Sequence, residues 1–198
     1  MASHAGHLRP AVFMDRDGCL TEEVGYVNHP SRFRLYPWSA SAVRAINRAS
    51  WLAVVVTNQA GVARGYFPES VFQEVQARLR GEVEKGGARF DAVYACLHHP
   101  SVGEPPYREH CDCRKPRPGL LRRAEKELGA DLRSSWVIGD RYSDMQLAWS
   151  VGASGALVKS GYGLGELTYL SEGWSKQPDL VAENLLEAVE RILGPETA

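Results

Sequence analysis

Short apolar runs alternate with amphipathic stretches along this chain of 198 residues. The runs predict strands at 11–14, 52–56, 91–96, 136–139 and 155–158, with a shorter apolar piece at 179–181. Between them, apolar residues recur at helical spacing around 42–46, 69–85, 119–128, 145–151 and 185–193. Strands that alternate with helices in this way are typical of parallel sheets. We therefore predict an α/β fold, with helices on both faces of a parallel sheet.

The composition is that of an ordinary globular protein, with 44% hydrophobic and 24% charged residues. No run approaches the roughly 20 apolar residues of a membrane span, and residues 1–10 lack the apolar core of a secretory signal. We expect a mobile tail at 1–10, one domain at 11–198, and a monomeric, cytoplasmic protein without a membrane partner. The formal charge of -1 gives no overall attraction for nucleic acid, so an anionic substrate needs local cations.

Polar residues that suit phosphoryl transfer follow the predicted strands. They are Asp15 and Asp17 after the first strand, Thr57 and Asn58 after the second, Lys115 after the loop that follows the third, and Asp140 and Asp144 after the fourth. Each group alone is equally consistent with a turn or a helix cap. Because ligands bind at the carboxyl ends of the strands in such sheets, the groups together predict a phosphate site.

The loop after the third predicted strand is rich in metal-binding side chains. Its candidate ligands are Cys96, His98, Cys111 and Cys113. Three cysteines and one histidine form a closed structural zinc site, and thiolates disfavour Mg²⁺. From the residues alone, His99 or His110 could replace His98, and free thiols with surface histidines are the alternative interpretation. We predict a zinc ion that fixes the loop leading to Arg114 and Lys115.

Taken together, the motifs resemble those of the haloacid-dehalogenase-like phosphatases. The matching segments are Asp15-x-Asp17-Gly18, Thr57-Asn58, Lys115 and Gly139-Asp140-x-x-x-Asp144. Within that superfamily, the Cys/His loop and the segments 25–27, 55–59, 61–65 and 113–116 resemble the heptose 1,7-bisphosphate phosphatases, whose nearest relatives are the histidinol-phosphate phosphatases. The resemblance covers about residues 11–194 and implies a Rossmann-like fold with a minimal cap. Cys19 stands where many members have Thr.

The resemblance also implies roles for the catalytic residues. Asp15 is expected to be the nucleophile that forms an aspartyl phosphate, and Asp17 the general acid and base. Thr57 and the backbone amide of Asn58 are expected to hold the transferring group, with Lys115 as the neighbouring cation. This set supplies the nucleophile, the proton transfer and the positive charge that phosphate ester hydrolysis requires.

Two metals follow from the same resemblance. Mg²⁺ is expected on Asp15, Asp140 and the backbone carbonyl of Asp17, where it would reduce repulsion between nucleophile and phosphate. Asp144 is expected to orient the catalytic lysine or metal-bound water. The resemblance favours His98 as the fourth zinc ligand.

The function that the resemblance implies is Mg-dependent removal of the 7-phosphate from D-glycero-D-manno-heptose 1,7-bisphosphate, a small-molecule sugar bisphosphate. The alternative is a histidinol-phosphate phosphatase or a related small-molecule phosphatase. Arg64 and Arg114 are candidates for binding the distal phosphate, although each is also consistent with a surface arginine. A 3'-phosphatase of nucleic acid, a receiver-like module and a zinc-based interaction element are further alternatives. Gly161, Gly163 and Gly165 predict a turn near the site rather than a dinucleotide motif.

Overall fold

The computed structural model describes residues 8–194, whose strands form a single parallel sheet. The strands are β1 (Ala11–Met14), β2 (Leu52–Asn58), β3 (Ala92–Cys96), β4 (Trp136–Gly139), β5 (Ser154–Val158) and β6 (Leu180–Ala182). The helices are α1 (Ser39–Arg48), α2 (Glu69–Lys85), α3 (Gly119–Leu128), α4 (Tyr142–Ser150), α5 (Gly163–Tyr169) and α6 (Leu185–Leu193). Short 3-10 helices lie at Pro30–Arg32, Leu132–Ser134 and Ser171–Gly173. The strand order is β3-β2-β1-β4-β5-β6, and every neighbouring pair is parallel.

Helices cover both faces of the sheet because successive strand residues point to opposite sides. On one face, Val12 and Met14 of β1 pack in a core with apolar residues of α1, α2 and α6. On the other face, Ala11 and Phe13 pack with residues of α3 and α4. The predicted α/β fold with helices on both faces is therefore confirmed.

The predicted strands and helices correspond to observed elements, with ends that differ by a few residues. The exception is α5, where the sequence predicts only a turn. Gly163 is the first residue of this helix. Glycine is required there because a Cβ would lie 1.8 Å from the carbonyl oxygen of Val158. The glycine permits close packing of helix on strand, and Gly161 alone belongs to the expected turn near the site.

The N-terminal boundary also differs from the prediction. Residues 1–7 of the expected tail lie outside the described residues. A mobile tail as far as residue 10 is wrong, because the Arg9 backbone N donates to Gly129 O at 3.0 Å and its carbonyl accepts from Asp131 N at 2.8 Å. Sequence patterning misses this pairing because a single bridge needs no apolar residue.

The central strands β1, β2 and β4 are neighbours in the sheet, so their carboxyl ends meet at one edge. Among residues 8–194, loops cover this edge, as expected for a minimal cap. None of the helices in that range combines the length and the apolar character needed to cross a bilayer.

Candidate active site

A buried lysine joins two aspartates at the carboxyl edge of the sheet. Asp15 follows β1, Asp144 lies in the first turn of α4, and Lys115 lies a few residues before α3. Lys115 Nζ lies 2.8 Å from Asp15 Oδ2 and 2.8 Å from Asp144 Oδ1. All three side chains are buried, where an unpaired charge would be costly. Although burial favours the neutral amine, the carboxylates of Asp144 and Asp15 raise the pKa of Lys115 above its usual range, so it is a cation.

Asp140, directly after β4, completes an acidic cluster. One carboxylate oxygen from each of Asp15, Asp140 and Asp144 lies within 4.8 Å of the others. Burial, with the nearby charges of Asp15 and Asp144, raises the pKa of Asp140 to about 8. Burial likewise raises the pKa of Asp15 to about 6, against the opposing effect of Lys115. Three buried carboxylates around one lysine carry excess negative charge, and such oxygen ligands suit Mg²⁺.

The oxygens of Asp144 already have protein partners. Its Oδ1 faces Lys115, and its Oδ2 accepts from the Arg141 backbone N at 3.2 Å, at the N-terminus of α4. Asp144 therefore orients the lysine, one of the two roles expected for it. Asp140 Oδ2 accepts only a backbone hydrogen bond, from Tyr162 N at 2.8 Å, among the described residues. Asp15 likewise has a partner on each oxygen, with Lys115 Nζ near Oδ2 and the Arg16 backbone N donating to Oδ1 at 2.7 Å. By this criterion Asp140 is the member of the cluster most available to a metal.

Two glycines make room for the Asp140 carboxylate. Gly18 has φ +79°, and a Cβ there would lie 2.0 Å from Asp140 Oδ2. Gly161 has φ +61°, and its Cβ would lie 2.2 Å from the same oxygen. The left-handed backbone and the lack of space both require glycine at these positions. The loops after β1 and β5 therefore pass directly against the acidic cluster.

Asp17 and Thr57 lie on the wall of the same site. The Asp17 carboxylate is held by the side chains of Arg16 and Gln59, and Gln59 Nε2 also donates to Thr57 Oγ1 at 2.9 Å. Neither Arg16 nor Gln59 was predicted as a site residue. The only available indication was their position inside the two strand-end motifs.

Asn58, the last residue of β2, is hydrogen-bonded to the backbone of Lys115. Its Oδ1 accepts from the Lys115 backbone N at 3.0 Å, and its Nδ2 donates to the Lys115 carbonyl at 3.2 Å. The prediction for Asn58 involved its backbone amide, not its side chain. The side chain fixes the backbone from which the lysine extends toward Asp15.

A cavity of about 320 Å³ opens above the acidic cluster. The predicted residues that line it are Asp15, Asp17, Thr57, Asn58, Arg114 and Lys115. Four further lining residues with functional side chains were not predicted, namely Glu23, Tyr26, Arg141 and Ser143. Arg64 is not among the lining residues, and its Nη2 lies 2.9 Å from His99 Nε2. The structure thus places Arg114 at the cavity and Arg64 against the Cys/His loop.

The four candidate zinc ligands come together beside the cavity. One potential ligand atom from each of Cys96, His98, Cys111 and Cys113 lies within 4.8 Å of the others. The Sγ atoms of Cys96 and Cys111 are 3.6 Å apart, and Cys113 Sγ lies 3.3 Å from His98 Nδ1. With Zn–S bonds of about 2.3 Å, two sulfurs of a tetrahedral site lie roughly 3.8 Å apart. The cluster therefore fits a closed zinc site.

The structure also distinguishes which of the three candidate histidines can be the fourth zinc ligand. His98 turns Nδ1 toward the cysteines, and its Nε2 lies 3.6 Å from Glu109 Oε2. A carboxylate on the second ring nitrogen commonly orients a metal-binding histidine. His99 instead accepts backbone hydrogen bonds at Nδ1 from Ser101 and Val102. Neither His99 nor His110 belongs to the group of four.

Comparisons with known proteins agree with this geometry. A family model described as HAD-hydrolase-like matches residues 112–188. D-glycero-beta-D-manno-heptose-1,7-bisphosphate 7-phosphatase of Pasteurella multocida is 34% identical over 187 residues, which are 94% of this chain and 98% of the relative. The enzyme of the same name from Photorhabdus laumondii is 40% identical over 139 residues, which are 70% of this chain and 74% of the relative.

A solved structure extends the likeness to three dimensions. The crystal structure of D,D-heptose 1,7-bisphosphate phosphatase from B. bronchiseptica, complexed with magnesium and phosphate, has a TM-score of 0.82 and 29% identity. The match covers 93% of this chain and 98% of that structure. The fold, the strand-end carboxylates and nearly full-length relatives point to one class of enzyme. The chain is a phosphatase and belongs to the D-glycero-beta-D-manno-heptose-1,7-bisphosphate 7-phosphatase family of haloacid-dehalogenase-like hydrolases.

Proposed function

We propose that this phosphatase removes the 7-phosphate from D-glycero-D-manno-heptose 1,7-bisphosphate through an aspartyl phosphate on Asp15. The observation that carries this proposal is the pairing of Asp15 with Lys115 at a cavity of about 320 Å³, in a chain whose relatives bear that activity in their names. A carboxylate beside a buried cation is suited to approach a phosphate dianion, because the cation offsets part of the repulsion.

In the first step, a carboxylate oxygen of Asp15 forms a bond to phosphorus while the bond from phosphorus to the sugar oxygen breaks. Asp17 gives its proton to the departing sugar oxygen, which leaves as an alcohol. Lys115 faces the Asp15 carboxylate and the charge that develops beside it. Thr57 lines the cavity and is positioned to donate its hydroxyl hydrogen to the phosphoryl oxygens.

In the second step, water attacks phosphorus and gives one proton to the Asp17 carboxylate. The bond from phosphorus to Asp15 then breaks, which releases inorganic phosphate and restores both aspartates to their starting states. The same residue therefore serves as acid and then as base. Lys115 remains paired with Asp144 throughout, so its charge stays beside the nucleophile.

Asp15, Asp140 and the backbone carbonyl of Asp17 would hold Mg²⁺, which supplies charge neutralisation between nucleophile and phosphate. The raised pKa of Asp140, about 8, reflects buried negative charge that a divalent cation would balance. The Cys/His cluster would hold Zn²⁺ as a structural ion, because four protein ligands leave no open position for substrate.

Arg114 and Arg141 are the arginines that line the cavity, and we assign the distal phosphate to them. Lys115 is already paired with two carboxylates at 2.8 Å. Arg114 donates from Nη1 to the His98 carbonyl at 3.3 Å, and Arg141 Nη1 lies 3.8 Å from Glu166 Oε1, so each guanidinium keeps further N–H donors for a second phosphate. The Arg141 guanidinium stacks on the Tyr162 ring, with 3.9 Å between Cζ and the ring centroid. Arg64 contacts His99 instead, which supports a role in docking the Cys/His loop.

The near-neutral formal charge of -1 supports a small-molecule substrate rather than nucleic acid or a membrane surface. We propose that the enzyme acts as a cytoplasmic monomer.

Phosphate release with Mg²⁺ tests the proposal. The substrates are both anomers of heptose 1,7-bisphosphate, histidinol phosphate and a 3'-phosphorylated oligonucleotide. We expect a heptose bisphosphate to be preferred, with the 1-phosphate as product, and Asp15→Asn to lose activity by about 10⁴-fold or more.

Preference for histidinol phosphate would replace the substrate while keeping the mechanism. Retained activity in Asp15→Asn would overturn the aspartyl-phosphate mechanism.

A further inference from the structure

A buried arginine lies beside the cavity. The Arg16 side chain is 2% exposed. Its Nε donates to Asp17 Oδ1 at 3.0 Å, and its Nη2 donates to Asp17 Oδ2 at 2.7 Å. A guanidinium that grips both oxygens fixes the plane of the carboxylate as well as its charge. Burial of the Arg16 guanidinium would be costly without its ion pair to Asp17, so the pair is needed to keep Arg16 in this position.

Gln59, directly after β2, completes the hydrogen-bond network around Asp17. Its Oε1 accepts from Arg16 Nη2 at 2.8 Å, and its Nε2 donates to Asp17 Oδ2 at 2.7 Å. Because arginine only donates, the amide oxygen must face Arg16 and the amide NH₂ must face Asp17. The second amide hydrogen is directed to Thr57 Oγ1, at 2.9 Å. Gln59 therefore links Asp17 to Thr57 in one fixed orientation.

The consequence is a defined position for Asp17. Its Oδ1 also lies 3.3 Å from Thr21 Oγ1, so both carboxylate oxygens have protein partners. The side chain is nonetheless 17% exposed and lines the cavity. A proton-transfer group must lie within hydrogen-bond reach of the reacting oxygen, and a displacement of about 1 Å can cost roughly a hundredfold in rate.

We propose that Arg16 and Gln59 are positioning residues that hold Asp17 for proton transfer, with Gln59 coupling Asp17 to Thr57. This inference rests on the acid and base role given to Asp17 in the proposed function. Arg16 and Gln59 do not themselves line the cavity, and they contact its wall through Asp17 and Thr57. Within residues 8–194, their side chains make no hydrogen bond to Asp15.

Substrates with different leaving groups distinguish a positioning role of Arg16 and Gln59 from a general structural role. The value of kcat/KM reports formation of the phosphoenzyme, for which an alkyl phosphate needs a proton and 4-nitrophenyl phosphate does not. In Gln59→Leu we expect kcat/KM to fall by about 10-fold to 100-fold for an alkyl phosphomonoester such as glycerol 3-phosphate, but by less than about threefold for 4-nitrophenyl phosphate. An equal fall for both substrates would overturn the proposal.

Gln76→Leu is the matched control, because Gln76 is also buried and does not line the cavity. It should leave both kcat/KM values unchanged. Arg16→Lys provides a second variant that keeps the charge and loses the two-point contact, and it should show the same dependence on the leaving group.

A double-mutant cycle tests whether Gln59 acts through Asp17. In an Asp17→Asn background, Gln59→Leu should cause less than about a threefold further loss with the alkyl phosphate. A full further loss would show that Gln59 acts elsewhere and would overturn the inference.

Failure of the proposed function is visible separately. If heptose 1,7-bisphosphate is not hydrolysed, the substrate assignment fails while the cycle on simple phosphomonoesters still decides the inference. If Asp15→Asn retains hydrolysis of every phosphomonoester, both the proposed mechanism and this inference are overturned.

Discussion

Two clusters of four residues lie near the same edge of the sheet, and they are built on different principles. The catalytic cluster contains Asp15, Asp140 and Asp144 with Lys115 as an internal cation. The Cys/His cluster, formed by Cys96, His98, Cys111 and Cys113, has four ligand groups and no cation among them. The negative charge of the first cluster is therefore partly balanced by the protein itself, whereas the proposed Zn²⁺ would be the only cation within the second cluster.

The two clusters are also carried by different parts of the fold. The catalytic aspartates follow β1 and β4 in the centre of the sheet, where the core fixes the backbone. Three of the four Cys/His residues lie on the connection between β3 and α3, which has little core of its own. We expect the catalytic cluster to keep its shape without metal and the Cys/His cluster to lose it.

Removal of the internal cation should have the largest effect. Lys115→Met leaves two buried carboxylates unpaired, so we expect the free energy of unfolding to fall by about 3–5 kcal/mol and activity to be abolished. Lys159→Met is the matched control, because Lys159 pairs with Glu183 at the surface, where such a pair contributes about 1 kcal/mol or less. Urea unfolding measures both. Equal losses of unfolding free energy in the two variants would contradict the conclusion that Lys115 balances the charge of the buried carboxylates.

Loss of one thiolate should disturb the second cluster and spare the first. In Cys111→Ser we expect zinc content to fall and KM for the sugar bisphosphate to rise about tenfold, the worth of one charge-assisted hydrogen bond from Arg114. Hydrolysis of 4-nitrophenyl phosphate should change by less than about threefold, because Asp15 and Lys115 remain in place. Metal analysis and steady-state kinetics provide the readout.

Cys19→Ser is the control for metal content, since Cys19 is buried outside the cluster. It should retain its zinc. Full zinc and unchanged kinetics in Cys111→Ser would refute the zinc assignment.

The smallest effect is expected from the outer partner of the histidine. Glu109→Gln removes the carboxylate that faces His98 Nε2, and we expect the zinc dissociation constant to rise by about tenfold. Glu104→Gln, in the same loop but paired with Arg108, should leave it unchanged. Competition with a chromophoric chelator measures both constants. A rise of the same size in both variants would mean that loop charge, rather than orientation of His98, controls the affinity.

Sequence patterning predicted the elements whose apolar residues form the two cores. It failed at α5 because Gly161, Gly163 and Gly165 carry no patterning, and glycine there serves close packing rather than a turn alone. The candidate metal ligands were recognisable because their residue types are chemically distinctive.

The supporting contacts were not predictable in the same way. Arg16 meets Gln59, and Asn58 meets Lys115, across many residues of sequence, and nothing local distinguishes a buried arginine from an exposed one. The sequence likewise could not distinguish Arg64 from Arg114. Only the fold places Arg114 at the cavity and Arg64 against His99.

The position of β1 between β2 and β4 also has a consequence for biosynthesis. Ala11 N donates to Ser135 Oγ, 124 residues later in the chain, and Asp140 follows only after that point. Contacts of such long range form slowly, and a chain is synthesised from its N-terminus. Asp15, the proposed nucleophile, therefore emerges from the ribosome long before Asp140, the neighbouring carboxylate of its cluster. A nascent chain that carries Asp15 but not yet β4 would be inert, so catalytic competence arises only when most of the polypeptide has been made.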